Sequence, residues 1–245
     1  MLYLFIFILG SILTSFYMVV ATRIPNNESI VKPRSHCDKC HKQLKWYELI
    51  PILSYFIVKG RCPNCKNKLS ILYPLLEILG GILFLISFLK FKISYDFFLS
   101  IILSSLFIII SITDFKYYII LDSVLIVSEL FIIIINLLFK TNFLFYLLSG
   151  LLMFMIMLLV KKLGDILFKR ESLGGGDIKL MFVIGTILGL KLSLVSIVIS
   201  SFIALFYALY SLYILKKEEI PFGPFLVLGA FITLLLKNSI LSLII

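Results

Sequence analysis

Residues 2–21, LYLFIFILGSILTSFYMVVA, form an uncharged and largely apolar run. It is long enough to carry a helix across the roughly 30 Å hydrocarbon core of a bilayer. No basic residue precedes it, Arg23 follows almost at once, and no small-residue cleavage site closes it. The run therefore reads as a retained anchor with its N-terminus outside, not as a removed signal peptide. Runs of similar character recur near 70–89, 97–113, 119–139, 143–160, 178–190, 192–214 and 222–244. The composition agrees: 61% of residues are hydrophobic and 15% charged, against about 45–50% and about 25% in a soluble domain. The expected fold class is an all-α polytopic membrane protein of about eight transmembrane helices.

Eight crossings from an outside N-terminus put 23–69, 114–118, 161–177 and 215–221 on the inner side. Of the 23 basic residues, ten fall in the first of these loops and eight in or beside the others, Lys116, Arg170, Lys179 and Lys217 among them; only Lys90, Lys92, Lys140, Lys191 and Lys237 lie outside. That asymmetry is the positive-inside signature of a cytoplasmic membrane protein. It accounts for the net charge of +10 as topology and removes the case for a nucleic-acid partner. The partners implied are membrane lipid and whatever meets the inner face. The sequence leaves the oligomeric state open.

The one sizeable soluble segment, 23–69, holds all four cysteines as Cys37-Asp-Lys-Cys40 and Cys62-Pro-Asn-Cys65, two pairs 21 residues apart. Each C-x-x-C turn can offer two thiolates, and two turns complete a tetrahedral site. The alternative, two disulfides, is disfavoured by the reducing compartment that the charge count implies. So short a segment has too small a core to fold securely alone, and a structural zinc held by Cys37, Cys40, Cys62 and Cys65 would staple it. His36 and His41 flank the first pair and are left outside the site.

Carboxylates at a membrane boundary are expensive and ask for a reason. Asp114 ends the third run, and Asp177 opens the sixth in Gly174-Gly-Gly-Asp177-Ile-Lys-Leu180. Both fall on the inner boundary, so they can meet in space. The plainer reading makes each a helix-end residue, Asp177 favoured by the helix dipole. The three glycines ahead of Asp177 tip the balance, since Gly174 and Gly176 let an extended peptide approach the backbone closely. Two adjacent carboxylates can share a proton, one activating water and the other hydrogen-bonding a scissile carbonyl. With both histidines in the cysteine loop, a zinc-protease helix or a Ser–His pair within the spans is excluded. Glu77, Asp122 and Glu129 are candidates for supporting roles, with pairing or capping as the plainer reading. Asp165 and Glu171 read as loop solvation.

These residues resemble the type IV prepilin peptidases, whose sites carry a G-x-G-D-x-K-L motif like Gly174 to Leu180. The resemblance covers nearly the whole chain. It takes in Gly10-Ser11, Arg23-Ile-Pro25, Pro51-Ile-Leu-Ser-Tyr55, Gly60-Arg-Cys62, Pro74-Leu-Leu-Glu77 and Pro221-Phe-Gly-Pro-Phe225. It implies that Asp114 and Asp177 are the catalytic pair, with Gly174, Gly176, Lys179 and Asp122 accessory, and that Leu121 stands where the family usually has proline. It further implies type IV prepilin or pseudopilin substrates, cleaved after a glycine, and, for members with the cysteine loop, methylation of the new N-terminus by S-adenosylmethionine. No G-x-G-x-x-G segment marks a site for that donor; Glu77, at the membrane end of the loop, is the residue attached to it. The domain reading is an anchor at 1–22, a zinc loop at 23–69 and a transmembrane aspartic peptidase domain at 70–245. A proton-coupled transporter would want acids near the midplane in paired broken helices. A non-enzymatic secretion-assembly factor with the loop as docking module is the third possibility. Leader cleavage separates both from the protease.

Overall fold

The computed structural model describes residues 1–37, 39–169, 171–216 and 220–244. Arg170 and Lys217 of the charge count, and the Asp between Cys37 and Lys39, lie outside them. The chain forms two compact units, Met1–Lys92 and Ile93–Ile245, and all regular structure among the described residues is helical.

In the first unit α1 (Leu2–Arg23) runs into a short 3₁₀ turn, and the loop beyond carries a second 3₁₀ turn (Trp46–Leu49) and α2 (Leu53–Ile57) before α3 (Leu72–Phe91). Helices α1 and α3 pack together because small residues face each other. A Cβ on Gly10 would lie 2.8 Å from the Gly80 carbonyl oxygen. Between lipid-facing helices this close backbone approach, not a hydrophobic driving force, supplies the attraction. Arg23, at the end of α1, donates to the carbonyls of Ser29 (3.0 Å) and Pro33 (2.8 Å), fastening the start of the loop.

The second unit contains α4 (Tyr95–Tyr117), α5 (Asp122–Leu138), α6 (Phe143–Phe168), α7 (Gly175–Leu188), α8 (Leu190–Tyr210), a π turn, α9 (Gly223–Leu235) and α10 (Lys237–Ile244). Helix α4 starts at Ser94, whose side chain accepts from the Phe97 N–H. It ends where Tyr118 takes a left-handed conformation and its N–H caps the Asp114 carbonyl at 3.0 Å. Helix α7 ends at Gly189, whose φ of +75° is open to glycine and strained for other residues. The main packings are α6 on α7, α8 on α9 and α4 on α9. At the α6–α7 crossing a Cβ on Gly185 would fall 2.7 Å from the Gly150 Cα, and at the α8–α9 crossing one on Gly229 would fall 2.8 Å from the Ser196 carbonyl.

All eight expected runs coincide with helices, yet they are not eight equal crossings. Among the described residues five helices are long and apolar enough to span a membrane, and a sixth counts if α9 and α10 are one span bent by 78°. Helix α5, with 17 residues, extends about 26 Å, and α7, with 14, only about 21 Å. The run expected at 222–244 breaks at Leu236, which hydropathy does not register. The loop expected from 161 begins later, since α6 continues through Lys161, Lys162 and Asp165 to Phe168. There Asp165 accepts from the N–H (2.7 Å) and hydroxyl (2.9 Å) of Ser172, closing the turn.

The α6–α7 crossing gives a direct stability test. Gly185→Leu should destabilise the protein by at least about 1–3 kcal/mol through overpacking, seen as a lower thermal midpoint in detergent, while lipid-facing Leu152→Ala should leave the midpoint nearly unchanged.

Candidate functional site

Two chemical constellations stand out, one in each unit. In the first unit the two C-x-x-C turns repeat one another residue for residue. Cys37 N–H donates to the Lys42 carbonyl as Cys62 N–H does to Asn67, and His41 N–H donates to the Cys37 carbonyl as Lys66 N–H does to Cys62. Isolated bridges pair His36 with Gln43 and Arg61 with Lys68, and both turns close with a positive φ, at His41 and Lys66. The result is two similar knuckles that present their thiols to a common point.

The four Sγ atoms lie within 4.8 Å of one another, with Cys37–Cys65 and Cys40–Cys62 each at 3.8 Å. A tetrahedron with metal–sulfur bonds of about 2.3 Å has an edge of about 3.8 Å, and a disulfide would require about 2.05 Å. The Lys42 backbone N–H, helped by the Asn64 side chain, pulls the Cys40 thiol down to about 6. Backbone N–H groups of Cys65 and Asn64 lower Cys62. Although the Asn67 N–H also pulls on Cys65, burial and the other three thiols push it up to about 11. Four thiolates so close need a cation between them, and the cluster can hold one metal ion. The His36 Nδ1 is occupied instead with the Arg34 carbonyl at 2.9 Å.

Glu77, from the second turn of α3, is buried, and its Oε2 accepts from the Ile52 N–H at 2.7 Å. Ile52 has φ 65° and ψ −57°, a γ-turn geometry that is strained for a branched residue. Glu77 thus holds a strained turn of the cysteine loop. It makes this contact within the first unit.

In the second unit Asp114 comes from the last turn of α4 and Asp177 from the first turn of α7; both are buried. Their carboxylates interact electrostatically. Gly223, which opens α9, donates its N–H to Asp114 Oδ2 at 3.0 Å, and Asp177 folds back on Gly174, where a Cβ would fall 3.1 Å from Asp177 Oδ2. Asp177 Oδ1 is fully buried with no partner among the described residues, an expensive condition for a carboxylate oxygen. Gly223 and Ile120 went unnoticed as site residues. A Cβ on Gly223 would lie 2.9 Å from both Asp114 Oδ2 and Ile120 Cδ1, and one on Gly176 would lie 2.9 Å from Ile120 Cβ. Ile120 is thereby the wedge that spaces α7 from α9 beside the two acids. The Phe-Gly-Pro turn in the sequence was the available signal.

Two family profiles match the chain: the bacterial peptidase A24 N-terminal domain over residues 8–91 and the type IV leader peptidase family over residues 101–209. The first match falls inside the first compact unit and the second inside the other. The prepilin leader peptidase/N-methyltransferase of Bacillus subtilis (strain 168) is 33% identical over 241 residues, covering 97% of this chain and 95% of that protein. The chain belongs to the type IV leader peptidase family. The like-named protein of Vibrio cholerae is 30% identical over 247 residues, with 93% and 94% covered. That of Myxococcus xanthus is 44% identical over 92 residues, 38% of this chain and 28% of that protein. No solved structure gives a significant match.

Two further residues of the leader-peptidase pattern acquire contacts here. Asp122 and Lys179 pair with each other, Nζ lying 2.8 and 2.7 Å from the two carboxylate oxygens, with both side chains largely exposed. The pair ties the first turn of α5 to that of α7. Leu121 has a φ of −76°, inside the range that a proline ring imposes, so its backbone is one that proline could also adopt.

Cobalt(II) tests the cysteine cluster independently of any activity. Purified metal-free protein should take up about one cobalt per chain with the intense visible bands of a tetrahedral thiolate site, and Cys62→Ser should abolish them.

Proposed function

We propose that this protein is an aspartic endopeptidase of the cytoplasmic membrane that removes the leader of type IV prepilins or pseudopilins after a glycine, at the cytoplasmic face, and that it then methylates the new N-terminus. The observation that carries the peptidase reading is the pair of buried carboxylates, Asp114 held by the Gly223 N–H and Asp177 with an unsatisfied oxygen beside a glycine turn. The names of the relatives carry the substrate class and the methyl transfer. The excess of basic residues in the inner loops supports the orientation.

The chemistry follows from two acids sharing one proton. The ionised carboxylate takes a proton from a water molecule, whose oxygen attacks the scissile carbonyl carbon, while the protonated partner donates to the carbonyl oxygen. The tetrahedral species collapses as its C–N bond breaks and a carboxyl proton passes to the departing nitrogen, leaving the leader as an acid and the mature chain as an amine. Gly223 holds one oxygen of Asp114, so that carboxyl group is oriented before substrate arrives. Gly174 and Gly176 keep the backbone of the α7 turn open to an extended peptide.

The cysteine cluster fits a structural zinc, which would be held by Cys37, Cys40, Cys62 and Cys65 and would brace the loop. A cavity of about 210 Å³ in the first unit does not fit the S-adenosylmethionine that methylation requires: it lies below the roughly 300–1,000 Å³ of ligand clefts, and its charged groups, Arg23 and Arg34, would repel a sulfonium. Glu77 acts by holding the Ile52 turn of the loop.

The peptidase reading is tested with purified protein and a prepilin. Wild type should yield the shortened product, and Asp114→Asn or Asp177→Asn should lower kcat by at least about 10³-fold, as loss of a general acid–base group does. Gly223→Ala, which crowds Asp114, should lower kcat less. Full activity in both Asn variants would refute the mechanism. Division of labour is tested separately by mass spectrometry of a pilin co-expressed with Cys62→Ser or Glu77→Ala enzyme. A mature, unmethylated N-terminus is expected, and joint retention or joint loss of both modifications would make the loop a scaffold for the whole enzyme.

A further inference from the structure

Residues 46–57 of the cysteine loop, WYELIPILSYFI, carry one carboxylate, Glu48, among largely apolar and aromatic side chains. The stretch is too short to cross a bilayer, and it folds as the 3₁₀ turn Trp46–Leu49 packed on α2. That fold does not bury its apolar side chains. Trp46 is 78% exposed and Phe56 65%, and Leu49, Leu53 and Ile57 are exposed with them. Glu48 is instead turned inward and buried, its Oε2 accepting from the Lys45 N–H at 2.7 Å. A loop surface that faces water is built the other way round.

Two contacts within the first unit fix the depth of this surface. Ile52 donates its N–H to Glu77, which lies about 7 Å along the axis from Leu72, the first residue of α3. On the other side Leu49 lines the same cavity as Phe16 and Val19, which lie about 10 Å and about 6 Å before Arg23, the last residue of α1. Helices α1 and α3 have 22 and 20 residues, about 33 Å and about 30 Å of rise, which the roughly 30 Å hydrocarbon core takes up almost in full. Levels one to two turns inside their ends therefore fall at the hydrocarbon boundary, and the segment is held there by both helices. At the same level α3 itself exposes Leu72 and Leu75.

The charges beside the segment agree with that depth. Lys45 and Lys59 flank it and are exposed, and neither has a carboxylate partner among the described residues. An indole and aliphatic side chains bordered by amines match the headgroup layer, where aromatic rings and lysines are favoured and anionic lipid attracts the amines. We propose that this face of the cysteine loop docks on the lipid bilayer, with Trp46, Leu53, Phe56 and Ile57 inserted among the headgroups and upper acyl chains and Lys45 and Lys59 at the headgroup phosphates. The cysteine loop is then seated on the membrane surface and not free in solution.

Trp46 is the single tryptophan of the chain, so its fluorescence reports on this face in the unmodified full-length protein. The protein is reconstituted into vesicles of phosphatidylcholine and phosphatidylglycerol whose acyl chains carry bromine either near the headgroup or near the chain end. Bromine near the headgroup should quench Trp46 emission about twofold or more, and more than bromine at the chain end, as an interfacial indole requires. Iodide present on both sides of the bilayer should quench it little. Trp46→Phe combined with Phe56→Trp moves the reporter to α2 and should give the same order of quenching. Strong quenching by iodide without quenching by bromine would place this face in water, and quenching by neither would place it against protein. Stronger quenching by the deeper bromine would place it below the headgroup layer. Each of these three results would overturn the proposal.

Discussion

The hydrogen bond from the Gly223 N–H to Asp114 Oδ2 joins residues 109 positions apart, and the geometry of the acid pair depends on it. It brings the first turn of α9 against the last turn of α4. Only glycine allows the approach, because any Cβ would enter the space of Asp114, Ile110 and Ile120. A carboxylate at a membrane boundary is stabilised there by a fixed backbone dipole in place of water. The cost of burying Asp114 is thus met in part by this tether, while Asp177 keeps a fully buried oxygen with no partner among the described residues.

The rest of the second unit keeps those helix ends in place without a hydrophobic driving force between helices. Contacts are made where glycine and serine let backbones touch, as at Gly150 with Gly185 and at Gly229 with Ser200. Such crossings permit little sliding, since moving either helix by a side chain's width brings backbone into backbone. The Asp122–Lys179 pair adds orientation. Both partners are exposed, so its contribution to stability is small, and its value lies in fixing the first turn of α5 against the turn that bears Asp177. In the first unit the equivalent constraint is the cysteine cluster, supplemented by Glu77 on the strained Ile52 turn.

Much of this was legible in the sequence because it is written locally. Apolar runs located the long helices, and the C-x-x-C spacing located the thiol cluster. The glycine turn and a shared boundary singled out Asp114 and Asp177, and in the structure both are buried with their charges interacting. What escaped was set by long-range packing. Hydropathy averaged over the 78° bend at Leu236 and over the shortness of α7. Gly223 and Ile120 matter only because α4, α7 and α9 converge on them. The likeness of the two cysteine turns lies in backbone hydrogen bonds shared by dissimilar side chains, such as His41 and Lys66.

The central claim, that Asp114 and Asp177 act together on a tetrahedral centre, is tested most directly by binding. A leader-junction peptide whose scissile amide is replaced by a hydroxyethylene group places a tetrahedral hydroxyl where the two acids would act, and its affinity can be measured on enzyme that turns nothing over. The account requires tight binding to wild type and a loss of at least about tenfold in both Asp114→Asn and Asp177→Asn, as expected of a group held by interactions made only with the transition state. Equal affinity for wild type and either variant would contradict it.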